Sequence, residues 1–345
     1  MNEGCPKSMS HIDSNKVINR LFQLSIVVFL LLMFLFPNAS INGAKRGLLL
    51  WFNTVLPTLL PFIIVSSLLV KLGIASSLCR FLYPLVGKVF RVSKNACYAV
   101  VMGFLSGIPM GAKTSCDLIK NKEISIQEGQ FLATMCNNAS TMFIMGYIGM
   151  NELKLPKMSL HLVFILYGSA IITALIFRSF YERFTHETYS IQIPKFNTTT
   201  NLLHAQSIPQ TKKKQRFKID FTIVDECIMD GFEVITKVGG YIILFSILAQ
   251  IILSMNQLNH YVRMLIVGIC EITTGIDTIA NSALQMDTKI VLILALTSFG
   301  GLSGLAQTKS VFADSGLSII SYLKAKIMNA FITFLLGLLY VKFLL

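Results

Sequence analysis

Glu271 stands in an otherwise apolar run from Met264 to Ile276, where an ionised side chain costs about 2.5–3.5 kcal/mol on membrane-insertion scales. Acids retained at that cost face a cavity or a charged partner. Thr273, Thr274 and Gly275 follow and add two hydroxyls and a helix break. Glu271 is therefore suited to couple a proton or cation, or to hold a solute hydroxyl or amine. The competing role is structural: its carboxylate accepts donors from another broken helix or pairs with Lys113.

A second cluster, Gly103, Gly107, Pro109 and Gly111, runs into Lys113 and Thr114. Pro removes a backbone donor and Gly has weak helix preference, so this stretch does not form a continuous helix. In a bilayer the freed backbone groups must find protein or a water-filled cavity, and a half-helix N-terminus there offers N–H groups to an anion. A kink eased by close packing of small residues is the plainer alternative. Asn137 and Asn138, beside Ser140 and Thr141, place two amides mid-span. Neighbours on a helix point in different directions, so one is expected at a cavity and the other on an adjacent helix. Gly300, Gly301, Ser303, Gly304 and Gln307 form a matching polar stretch later in the chain, and bonding between helices is the alternative for each. The substrate-binding set read in this way is Gly107, Pro109, Gly111, Lys113, Asn137, Asn138, Glu271, Thr273, Thr274, Gly301, Ser303 and Gln307.

Catalytic patterns are missing from the sequence. The five histidines are isolated, and there is no P-loop, no Gly-x-Ser-x-Gly and no paired carboxylate motif, so neither enzyme activity nor a metal or cofactor is expected. The seven cysteines are scattered without a Cys-x-x-Cys pair and read as reduced packing residues.

The elements that must hold these groups are membrane helices. Hydrophobic residues make up 54% of the 345 and charged residues 14%, against roughly a quarter charged in soluble domains, and mean hydropathy is +0.66. Spanning segments are expected near 21–37, 48–70, 127–150, 159–178, 236–254, 287–306 and 326–344, with re-entrant or discontinuous helices at 96–112 and 264–281. The apolar run after Lys16 and Arg20 is long and has a long preceding tail, which favours a retained helix over a signal peptide. Residues 76–94 have the spacing of an amphipathic helix lying at the interface.

The net charge of +13 does not point to nucleic acid, because the basic residues lie between apolar runs rather than on one module. They read as topology signals. With a cytoplasmic N-terminus, 1–20, 71–94, 113–128 and 178–218 carry 3, 5, 3 and 8 Lys plus Arg, which is 19 of 30, while 37–47 and 151–157 carry two each. That bias obeys the positive-inside rule.

An internal repeat follows from the order of elements. Val55–Phe62 aligns without gaps on Val238–Phe245, an offset of 183 residues. Each is followed by a broken segment and then by a polar cluster, Cys136–Ser140 in the first half and Ser298–Gly304 in the second. The fold expected is an all-α integral membrane bundle with inverted repeats and two re-entrant or broken helices, a common transporter plan with its site at the midplane. Its parts are a cytoplasmic tail (1–20), a first membrane half (21–180), a basic cytoplasmic loop (181–220) and a second half (221–345). The partners expected are the lipid bilayer and a small anionic solute; a homo-oligomer is compatible with this plan.

At Leu56-Pro-Thr-Leu-Leu-Pro-Phe62, Gly103-Phe-Leu-Ser-Gly-Ile-Pro-Met-Gly-Ala-Lys113, Cys136-Asn-Asn138 and Glu271-Ile-Thr-Thr-Gly275, the chain resembles the sporulation integral membrane protein YlbJ family. Gly301-Leu-Ser-Gly-Leu-Ala-Gln307 is similar to that family's Gly-Gly-x-x-x-x-Gln element. The resemblance implies a nucleoside-recognition or Gate domain, an endospore-forming bacterium, expression in the mother cell and a part in spore cortex or core maturation. It further implies passage of dipicolinic acid across the outer forespore membrane. A membrane scaffold acting through the basic loop, or a carrier of nucleosides, are the competing functions.

Overall fold

The computed structural model describes residues 14–184, 221–255, 257, 259–313 and 315–344. Among them there are helices and no strands. The first half comprises α1 (Ser14–Leu35), α2 (Pro37–Leu50), α3 (Leu56–Lys71), α4 (Ile74–Phe90), α5 (Ala96–Ser106), α6 (Met110–Lys120), α7 (Ile126–Cys136) and α8 (Ser159–Phe184). The second comprises α9 (Phe221–Ser254), α10 (His260–Cys270), α11 (Ile272–Ala280), α12 (Met286–Phe299), α13 (Gly301–Phe312) and α14 (Ile319–Leu344). Wider π-helical turns at Trp51–Val55 and Phe143–Glu152 complete the first half.

Five of the described stretches are long and apolar enough to cross a membrane: Pro37–Leu69, Pro156–Arg178, Phe221–Ser254, Met286–Phe312 and Ile319–Phe343. The sequence led us to expect seven. The apolar part of α1, Arg20–Leu35, is short of the length required, and the stretch 127–150 is interrupted after Cys136. The expected loop 37–47 is helix, started by Pro37 in the first turn, where a missing N–H costs nothing. It continues through the π turn into α3. The tail expected over 1–20 is helical from Ser14. Of the basic loop, residues 181–184 extend α8, and the remainder lies outside the described residues. The stretch 76–94 does contain an amphipathic helix, α4, with Cys79 and Val86 buried and Phe81 and Val89 exposed.

Long helices pair antiparallel at two places, each pair joining equivalent elements of the two halves. Along α2–α3 and α9, Trp51 Nε1 donates to Ile235 O (2.9 Å), while Lys71, further on, bonds Glu226, further back (2.9 Å). Along α8 and α14, His161 meets Tyr340, Ser169 meets Thr333 and Thr173 meets Asn329. Antiparallel packing of corresponding helices is the mark of an inverted repeat.

The shorter helices form hairpins between these pairs. Ser93 N donates to Glu128 Oε1, so the chain entering α5 sits beside the chain that follows α6; the first broken segment returns to its own side, as the charge pattern requires. Lys71, Ser93, Glu226 and Ser318, which bonds Gln130, gather at one end of the bundle. Arg46 and Asp277 meet at the other. The basic loops 71–94 and 113–128 belong to the first end, the one the positive-inside rule expects on the cytoplasmic side.

Candidate functional site

Four helix breaks converge on the middle of the bundle, two more than the sequence indicated. Between α5 and α6, Gly107 has φ 75° and ψ −159° and is followed by a cis Ile108–Pro109 bond. Only glycine adopts that backbone conformation readily. A methyl group on Gly107 would also stand 2.7 Å from Ser140 N. Between α10 and α11 the chain is extended at Glu271 alone. After α7 it is irregular from Asn137 to Ser140, and between α12 and α13 it turns on Gly300 and Gly301, both at positive φ. The last two lie in stretches expected to be continuous spans. Apolar composition carried that expectation, and it is insensitive to a local turn whose carbonyls find partners inside the protein. Tyr167 supplies such a partner: its hydroxyl donates to Phe104 O (3.0 Å) and Ala139 O (3.2 Å).

One cavity, with about 530 Å³ of empty space, is lined by residues from all four breaks: Ser106 and Ile108, Ala139 and Ser140, Glu271 to Thr273, and Gly300, Ser303 and Gly304. Val55, Leu59, Phe143, Val238 and Ile242 form apolar walls, and Gln307 completes the lining. A mostly apolar cavity with a few convergent polar groups is the usual form of a small-molecule site.

Glu271 is fully buried, and its carboxylate caps its own helix. Oε1 accepts from Thr273 N (3.1 Å), and Oε2 accepts from Thr273 Oγ1 (2.6 Å) and Thr274 N (2.6 Å). The N-terminus of α11 is thus already capped by the Glu271 carboxyl group. Glu271 does not pair with Lys113, which is exposed and lines a separate cleft with Pro109. The α13 N-terminus differs, having glycine at its cap position and no side-chain cap.

The two asparagines do not divide between cavity and neighbour. Because α7 stops at Cys136, both reach α14. Asn137 donates to Tyr322 OH and Thr308 Oγ1 (2.9 Å each) and accepts from Ala112 N. Asn138 Oδ1 accepts from Lys326 Nζ (2.7 Å). Neither lines the cavity. Gly111 packs against Cys136 and Asn137, Gly301 against Ile272, and Thr274 bonds Ser246 (3.1 Å). Of the residues expected to bind substrate, the cavity brings together Glu271, Thr273, Ser303 and Gln307. Sequence reasoning named Ser140 in the polar cluster without placing it in the site, and missed Ser106, which looks like an ordinary small packing residue, and Lys326, buried inside a spanning helix.

These features define a multi-pass, all-α integral membrane protein. No family model matches the chain, and no solved structure does. It is similar to the sporulation integral membrane protein YlbJ of Bacillus subtilis (strain 168), with 25% identity over 334 residues, covering 90% of this chain and 80% of that relative. The likeness supports membership of the sporulation integral membrane protein YlbJ family.

Proposed function

We propose that the protein carries a small anionic solute across a membrane during spore formation. Dipicolinic acid is the leading substrate and the outer forespore membrane the leading location, as the family resemblance implies. The observation that carries this reading is the single cavity at which four helix breaks from two inverted halves meet, because a midplane site between inverted repeats is a transporter arrangement.

The donors suit a carboxylate. Ser140 and Ser303 bring hydroxyls and Gln307 an amide, and the uncapped α13 N-terminus adds a partial positive charge. The Glu271 carboxyl oxygens are engaged by three donors at the α11 N-terminus. This reading assigns the protein no catalytic step.

The test is uptake into proteoliposomes containing the purified chain, comparing dipicolinate with uridine and adenosine. Saturable dipicolinate uptake that nucleosides do not inhibit is expected. Nucleoside uptake alone would replace the substrate, and retention of every solute outside the vesicles would sink the transport reading.

A further inference from the structure

The inverted repeat pairs the two ends of the bundle, and this structure treats them differently. Within α11 the chain reads Gly275-Ile-Asp277-Thr278, and within α6 it reads Gly111-Ala-Lys113-Thr114. In both, the Thr hydroxyl donates to the carbonyl four residues back: Thr278 to Thr274 (2.7 Å) and Thr114 to Met110 (2.8 Å). Asp277 and Lys113 thus hold equivalent positions at opposite ends. The helices facing them are equivalent too. The offset of 183 that relates α3 to α9 carries Arg46 to Met229, next to Asp230.

At the outer end the charges meet, Arg46 of α2 bonding Asp277 of α11. At the cytoplasmic end they stand apart. Lys113, Asp230 and Glu233 line a cleft with about 530 Å³ of empty space. Asp230 there bonds Lys71 (3.1 Å) and Glu233 bonds Lys237 (2.6 Å), while Lys113 makes no ion pair among the described residues. The cleft shares Val238 and Gln307 with the central cavity, so these two residues stand between them. The signs are exchanged between the ends, with Arg on the long helix and Asp on the half-helix outside, Asp on the long helix and Lys on the half-helix inside. The attraction is thereby kept at both.

We propose that Arg46–Asp277 and Lys113–Asp230 are alternating gates, the outer one closed and the cytoplasmic one open in this structure. The proposal rests on the transport reading and adds its conformational cycle. Rocking one half against the other breaks the outer pair and brings α6 onto α9, where Lys113 reaches Asp230. An ion pair made in only one of two states shifts the balance between them.

The experiment uses the full chain in proteoliposomes with its native cysteines replaced and with Lys113→Cys and Asp230→Cys introduced together. Oxidative cross-linking of this pair reports closure of the cytoplasmic end. Adding Arg46→Ala removes the outer pair and should speed cross-linking about two- to fivefold, the range expected from a partly exposed ion pair. Arg46→Lys should return it toward the parent rate. Asp277→Asn should reproduce Arg46→Ala, and it replaces that variant if Arg46→Ala fails to insert. Rates that do not rise in either variant would overturn the gates. Dipicolinate uptake by the unsubstituted chain in parallel vesicles separates the failures: uptake with unchanged cross-linking removes the gates alone, and state-dependent cross-linking without uptake of any solute removes the transport reading.

Discussion

Lys326 Nζ donates to Asn138 Oδ1 at 2.7 Å, with both residues buried and the Tyr322 ring centroid 5.5 Å from Nζ. Among the described residues no carboxylate pairs with Lys326. The amide thus accepts from the buried Lys326 amino group and ties α14 to the irregular segment after α7, whose next residues, Ala139 and Ser140, line the cavity. Asn138→Ala leaves the buried Lys326 amino group without that acceptor and should cost about 1–3 kcal/mol, the range for a buried donor left unsatisfied. Lys326→Met should cost less, and adding it to Asn138→Ala should recover part of the loss. Thermal unfolding of the detergent-solubilised variants measures all three, and equal destabilisation by the single and double changes would refute the dependence.

The break at Gly107 makes a sharper stability prediction. Its φ and ψ lie in a region that side chains avoid, and a Cβ would press on Ser140 N at 2.7 Å with backbone on both sides of the contact. Gly107→Ala should lower stability by at least ~2 kcal/mol, combining backbone strain with overpacking. Gly146, with nothing near its added Cβ, is the control, and Gly146→Ala should be close to neutral. Comparable loss in both would show that the Gly107 contact carries no special burden.

The breaks at Gly107 and Glu271 were legible in the sequence because they rest on residue chemistry: a glycine–proline cluster, and an acid no apolar helix would otherwise hold. The breaks after Cys136 and at Gly300 were not, since Asn137, Asn138 and a glycine pair are all tolerated in continuous helices. Lys326 was overlooked for a geometric reason. Read as the first residue of the last span, it is a lysine that reaches interfacial water. Because α14 begins at Ile319, Lys326 lies two turns inside the helix and is buried. Arg46 was read in a loop, whereas α2 carries it, packed on α9 through Gly43 and Gly47.

Topology offers a prediction independent of transport. The turn at Asn281 lies on the Arg46–Asp277 end, and Asn121 lies on the Ser93–Glu128 end. In a chain with its native cysteines replaced, Asn281→Cys should react with an impermeant thiol reagent added to intact cells. Asn121→Cys should react only after permeabilisation. The opposite pattern would invert the assignment of both ends, and equal labelling of the two sites in intact cells would break the inverted-repeat topology.

Glu271 and Lys113 were open to a reading in which they neutralise each other, and the structure separates them: one caps α11 inside the central cavity, the other lies exposed in the cytoplasmic cleft. Their substitutions should therefore act independently on stability. Glu271→Gln keeps the size of the side chain but places an amide NH₂ where a carboxylate oxygen accepted, against Thr273 N or Thr274 N. The loss should be about 1–2 kcal/mol, at the upper part of the range for helix N-caps. Lys113→Met removes an exposed cation with no ion pair among the described residues and should change stability by less than ~0.5 kcal/mol. The double variant should equal the sum within ~0.5 kcal/mol, as expected for groups without a shared partner. Thermal unfolding of the two single variants and the double closes this cycle. If the double change instead restored stability lost in Glu271→Gln, the two charges would be paired in the folded protein and the separation seen here would be wrong.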